Sequence, residues 1–226
     1  MLFRRAVHRL ATTLVVAAAV LAAVTAHATV LTDEEKAMLA NRKQQQHVTA
    51  WLSKRYRVAG DAANMFVATA YLTARDIKLD PLLILAVMAI ESGLNPFAES
   101  PVGAQGLMQV MTRVHVDKYE SAGGTLAAFD PVTNMRVGVK VLQECIARAG
   151  SLEAGLRYYV GAANLDDDSG YAGKVLAEHE RLRLVASGRA LPIAPSAARS
   201  QPIPIVAPAK PEVAPPQKVA LLADDS

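Results

Sequence analysis

The chain has 226 residues, 52% hydrophobic and 20% charged, with 24 Lys and Arg against 21 Asp and Glu. Three of the cations, Arg4, Arg5 and Arg9, fall in the first nine residues, and without them the two signs balance at 21 each, so charge makes no case for binding nucleic acid. The single cysteine, Cys145, excludes an intrachain disulfide, and the five histidines show no metal-ligand spacing; no metal or cofactor is expected.

In chain order, residues 1–28 have the layout of a secretory signal peptide. Arg4, Arg5 and Arg9 are its positive region, Leu10 to Val24 its apolar stretch, and Ala26-His27-Ala28 a small-x-small cleavage site. The apolar stretch is short for a full membrane span, so an exported, periplasmic or secreted protein is expected. "LTDEEKAML" opens a helix with a capping box, Thr32 and Glu35. A second helix is predicted over Ala62 to Asp76. Asp80-Pro81 starts a third, with aspartate as cap and proline at the first helical position, and its apolar run Leu82 to Ile90 ends on Glu91. "SPVGAQGLMQVM" reads as a turn-rich loop leading into a short buried helix. Asp130-Pro131 repeats the cap before "VTNMRVGVKVLQECIARAG", which Gly150 ends, and Cys145 within it reads as a buried small hydrophobe. Ser151 caps "LEAGLRYYVGAA", and a last helix is predicted from about Tyr171 to Ser187. Asp166-Asp167-Asp168 lacks the alternation, glycine and terminal glutamate of an EF-hand loop and reads as a solvated helix start. Residues 189–226 hold eight of the twelve prolines and form a proline-rich tail, a spacer or a docking arm for a protein partner. About 160 residues lie between signal and tail, enough for one all-α domain, residues 29–188.

Glu91 is the residue that asks for an explanation. An ionised carboxylate at the end of an apolar helix is costly. The carbonyls at a helix C-terminus and apolar surroundings both disfavour the anion, so its pKa is expected to rise. A carboxyl group still protonated near neutral pH is the general acid that a glycosidic oxygen needs in order to leave.

The segment "ESGLNPFAESPVGAQGLMQVM" resembles the soluble lytic transglycosylase family through Glu-Ser, Asn95-Pro96, Ser100, Gly103-Ala104 and Gly106-Leu107-Met108-Gln109. The likeness continues weakly through "NMRVGVKVL" and "GLRYYVGA" to "YAGKVL", covering roughly residues 75 to 180. It implies a goose-lysozyme-like α fold that cleaves bacterial peptidoglycan, with Glu91 as the single catalytic acid/base. Ser100, Gln109 and Met111 match positions that line the sugar site in such enzymes. Tyr159 falls at the tyrosine of the family's Ala-Tyr-Asn-Ala-Gly motif, where this chain instead has Tyr158 for alanine and Val160 for asparagine. By register Tyr159 is the one expected to line the cleft.

Each residue also has a plainer role open to it. Ser100 can cap the turn, Gly103 and Gly106 can serve a tight loop approaching a ligand, and Leu107 and Met108 read as core. Gln109 can lock the loop or bind an N-acetyl group, and Asn134 reads as local hydrogen bonding within its helix. The expected activity is non-hydrolytic cleavage of the MurNAc-β-1,4-GlcNAc bond of glycan strands by a monomer, giving 1,6-anhydro ends. A hydrolytic muramidase on the same fold would need an added acidic group. A non-catalytic glycan-binding part of an envelope-spanning apparatus would have no need for Glu91.

Overall fold

A computed structural model describes residues 32–163 and 168–193. The expected signal peptide, the tail beyond Ile193, Asp166 and Asp167 lie outside the described residues. Seven α-helices are described: α1 (Asp33–Tyr56), α2 (Gly60–Ile77), α3 (Pro81–Glu91), α4 (Val116–Glu120), α5 (Pro131–Ala149), α6 (Leu152–Tyr159) and α7 (Tyr171–Ala186), with one 3-10 turn at Thr125–Phe129. The class is all-α, as the helical periodicity predicts. None of the described helices is long and apolar enough to cross a membrane.

The chain divides into two units between Lys43 and Gln44. In the first, the described residues are the solvent-exposed start of α1, where Thr32 Oγ1 accepts from the Glu35 N–H and Glu35 Oε2 accepts from the Thr32 N–H, the reciprocal pair of a capping box. The second unit holds the core. At its centre is α3, whose residues Leu82 to Ala89 are all buried, because an apolar helix with no polar face must be covered on every side. Helices α2 and α7 pack against it, and α5 packs on α2 and α6.

The caps explain where these helices begin. Asp80 accepts from the Leu82 N–H at 2.8 Å, Asp130 from the Thr133 N–H at 2.7 Å and Ser151 from the Ala154 N–H at 3.3 Å, each satisfying one orphan amide of the first turn. Gly150 ends α5 in the left-handed conformation, at φ 74°. Asp168 Oδ2 accepts from the Ala172 N–H at 2.8 Å, a local role at the start of α7.

One predicted element is different. The segment after Ser100 forms no buried helix but a small antiparallel hairpin, β1 (Ala104–Gln105) paired with β2 (Val110–Met111). Gly103, Gly106 and Gln109 have φ of 86°, 76° and 47°, and three left-handed residues within seven break any right-handed helix. Leu107 and Met108, at the hairpin's tip, are fully buried as expected of core residues.

Candidate active site around Glu91

Glu91 is the last residue of α3 and only 4% exposed. The hydroxyl of Tyr171, fully buried in the first turn of α7, donates to Glu91 Oε1 at 2.5 Å. A short O–H···O bond of this kind fixes the carboxyl group's orientation. The chain then turns sharply away. Ser92 Oγ lies 3.1 Å from the Met88 carbonyl and 2.8 Å from the Leu107 carbonyl, joining the helix end to the hairpin, and Gly93 and Leu94 follow at φ 60° and 65°. A buried leucine in the left-handed region is strained, and such strain persists only where surrounding packing enforces it.

The hairpin is held from two further sides. Asn134 of α5, fully buried, accepts from the Met108 N–H at 2.8 Å and donates to the Gln105 carbonyl at 2.9 Å and the Tyr119 hydroxyl at 3.2 Å. This corrects the expectation of a local hydrogen bond: the amide reaches 26 and 29 residues back along the chain. Gly106 serves the same contact. A Cβ there would lie 2.3 Å from both Asn134 Nδ2 and the Ala128 carbonyl, so what approaches this glycine so closely is the protein itself. From the other side, the Tyr159 hydroxyl donates to the Met108 carbonyl at 2.8 Å.

Gln109 is almost completely buried, and its Nε2 donates to the carbonyls of Ala98 at 3.0 Å and Gly106 at 3.1 Å. The loop-locking role therefore uses both amide protons, and among the described residues the Oε1 acceptor has no partner. Ser100 is likewise buried, and its Oγ accepts from the Ala104 N–H at 2.9 Å, as a turn cap does. Gln109, Met111 and Tyr159 meet around a cavity of about 90 Å³ that Tyr158 also lines, so both tyrosines face it; Glu91 and Ser100 are not among its walls. Burial first, and the charge of Glu91 second, hold the Tyr159 phenol well above its ordinary pKa, which places that ring within electrostatic reach of the carboxyl group. Val160 is buried in the core, where it packs against apolar neighbours. Burial pushes the Cys145 thiol up to about 11, the behaviour of an unreactive thiol.

Tyr171 escaped the sequence reading. It lies 80 residues from Glu91 in the chain, and its only signal was an aromatic residue directly after Gly170 within the weakly matching "YAGKVL". Tyr119, which supports Asn134, gave no signal.

Residues 71–180 match the model of a domain family described as the transglycosylase SLT domain. Among relatives, a transglycosylase of Enterobacteria phage PRD1 is 35% identical over 103 residues, 44% of this chain and 37% of that protein. The soluble lytic murein transglycosylase of Escherichia coli (strain K12) is 40% identical over 75 residues, 30% of this chain and 11% of that enzyme. The crystal structure of the 70 kDa soluble lytic transglycosylase of Escherichia coli aligns with a TM-score of 0.46 and 24% identity over 69% of this chain and 31% of that one. Residues 71–180 are thus similar to the transglycosylase SLT domain family. The chain spans well under half the length of each of these relatives.

Proposed function

We propose that this protein is a peptidoglycan lytic transglycosylase, cutting the MurNAc-β-1,4-GlcNAc bond without water and leaving 1,6-anhydroMurNAc ends. The observation that carries the reading is the setting of Glu91. Only two carboxylates are buried among the described residues, Glu91 and Glu178. Glu178 is engaged by Tyr56 and Arg181, whereas Glu91 stands at the end of the apolar helix beside the family-matching loop, oriented by Tyr171.

In the proposed reaction the Glu91 carboxylic acid gives its proton to the glycosidic oxygen as the C1–O bond breaks. The resulting carboxylate then takes the proton of the muramoyl 6-hydroxyl, whose oxygen forms the new bond to C1. The acid is regenerated, no water is consumed and no second carboxylate is required. The intramolecular attack gains from proximity, since the nucleophile belongs to the ring being attacked. Gln109, Met111 and Tyr159 would line the sugar site, with Ser100 shaping the loop. The protein would act in the periplasm or outside the cell as a monomer after removal of residues 1–28, with its proline-rich tail a spacer or a docking arm for a protein partner.

The test is Glu91→Gln, which keeps the shape and loses the proton. Cleavage of purified sacculi should fall by about two to four orders of magnitude with glycan binding retained. Wild-type products should be about one water (~18 Da) lighter than hydrolysed muropeptides. Full activity in the variant would remove Glu91 from the chemistry, and free reducing ends would replace the transglycosylase with a hydrolase.

A further inference from the structure

A second cavity, of about 730 Å³, opens beside the end of the Glu91 helix. Ile90 and Ser92, the neighbours of Glu91 in the chain, line it, as do Gly170 and Gly173 on either side of Tyr171. Four cations share the remaining wall with Tyr56, Ala89, Gly93, Asn95 and Ala177. Arg55 and Arg57 from the end of α1, and Lys174 and Arg181 from α7, face one carboxylate, Glu178, leaving a formal surplus of three positive charges among the lining residues.

The cluster is built, not a chance of surface composition. Glu178 is 1% exposed, and it accepts from the Tyr56 hydroxyl at 2.7 Å and from Arg181 Nη1 at 2.6 Å, with Arg55 Nε 3.4 Å away. It acts as an internal pivot that sets the two guanidinium groups. Arg55 also stacks over the rings of Trp51 and Tyr56, at 5.1 and 5.6 Å, which restrains a side chain that would otherwise lose entropy on binding. Lys174 is held through its Nζ by the Ser169 carbonyl at 2.9 Å, and Arg57 is exposed at the rim. Fixed guanidinium forks recognise carboxylates in preference to diffuse charge. The volume suits a ligand of a few residues.

We propose that this cavity binds the carboxylates of the acidic peptide that the glycan strand carries next to the bond being cut. The proposal rests on peptidoglycan being the substrate: its muramic acid bears a peptide on the same ring whose C1 is attacked, and the cavity lies one residue from Glu91 and from Tyr171 along the chain. The cation cluster would then select strands whose peptides keep their free carboxylates.

The experiment is a calorimetric titration of the full chain with stem peptides released from sacculi by an amidase, so that no glycosidic bond is involved. The free-acid peptide should bind, and its affinity should fall steeply as salt is raised. The same peptide with its carboxylates amidated should bind at least tenfold more weakly. Arg57→Ala/Lys174→Ala, which alters two exposed side chains, should lose at least tenfold for the acidic peptide while circular dichroism stays unchanged. Equal binding of amidated and acidic peptides, unchanged affinity in the double variant, or inorganic phosphate binding as tightly as the peptide would each overturn the proposal. Peptide binding by a protein that releases no anhydro-muropeptides would leave this site standing and defeat the transglycosylase reading; the converse result would do the reverse.

Discussion

Asn134→Ala tests how the candidate site is supported. The wild-type amide makes three hydrogen bonds, to the Met108 N–H, the Gln105 carbonyl and the Tyr119 hydroxyl. Alanine leaves the Met108 N–H buried without its acceptor, which costs about 1–3 kcal/mol, and removes a partner from the buried Tyr119 hydroxyl at about another 0.5–1.5 kcal/mol. Gln105 is only half-buried, so water can replace its bond at little cost. The expected loss is therefore about 3 kcal/mol, a large part of the 5–15 kcal/mol typical of a whole domain. It should appear in urea unfolding as a lower midpoint with an unchanged slope, and as a drop in Tm of roughly 6–12 °C for a domain of this size. Turnover should also fall at temperatures where the variant is fully folded, because the hairpin that carries Gln109 and Met111 loses its anchor. A destabilisation under about 0.5 kcal/mol would refute the reasoning, since surface substitutions commonly fall in that range.

Further outcomes follow from other contacts. Gln109→Ala should cost about 1–2 kcal/mol of stability, because Nε2 holds the Ala98 and Gly106 carbonyls; a lower cleavage rate per folded molecule would add a sugar contact to the structural role, and an unchanged one would leave only the latter. Asp80 is held below the usual aspartate range, mainly by its hydrogen bond with His179 at 2.7 Å. Its contribution to stability is thus present above the ordinary aspartate pKa of about 3.9 and is lost as pH falls below it. Thermal melts between neutral and strongly acidic pH should show a shallower acid slope for Asp80→Asn, which keeps the helix cap; identical slopes would count against the pair. Mass analysis of the exported protein should place its first residue near Thr29, and an intact Met1 there would rule out a cleaved signal.

The local chemistry of this chain is written in adjacent residues, which is why the sequence alone determined so much. Asp80-Pro81, Asp130-Pro131, Ser151 and Gly150 act on amides and carbonyls within a turn of themselves, so they set helix boundaries whatever the rest of the molecule does. The unbroken apolar run Leu82 to Ile90 likewise dictates a central buried helix with Glu91 at its end, and the loop motif with its fixed spacing named the domain family. What the sequence could not determine were contacts between residues far apart in the chain. Whether "GLMQVM" becomes helix or hairpin depends on three left-handed residues being compensated by Asn134 and Tyr159, which belong to other helices. That Tyr171 meets Glu91, and that Glu178 gathers Tyr56 and Arg55 from the end of α1, follows from how α7 packs against α3. Neither pairing leaves a periodic trace in the chain, because a hydrogen bond between distant side chains is fixed by packed helices and not by sequence neighbours.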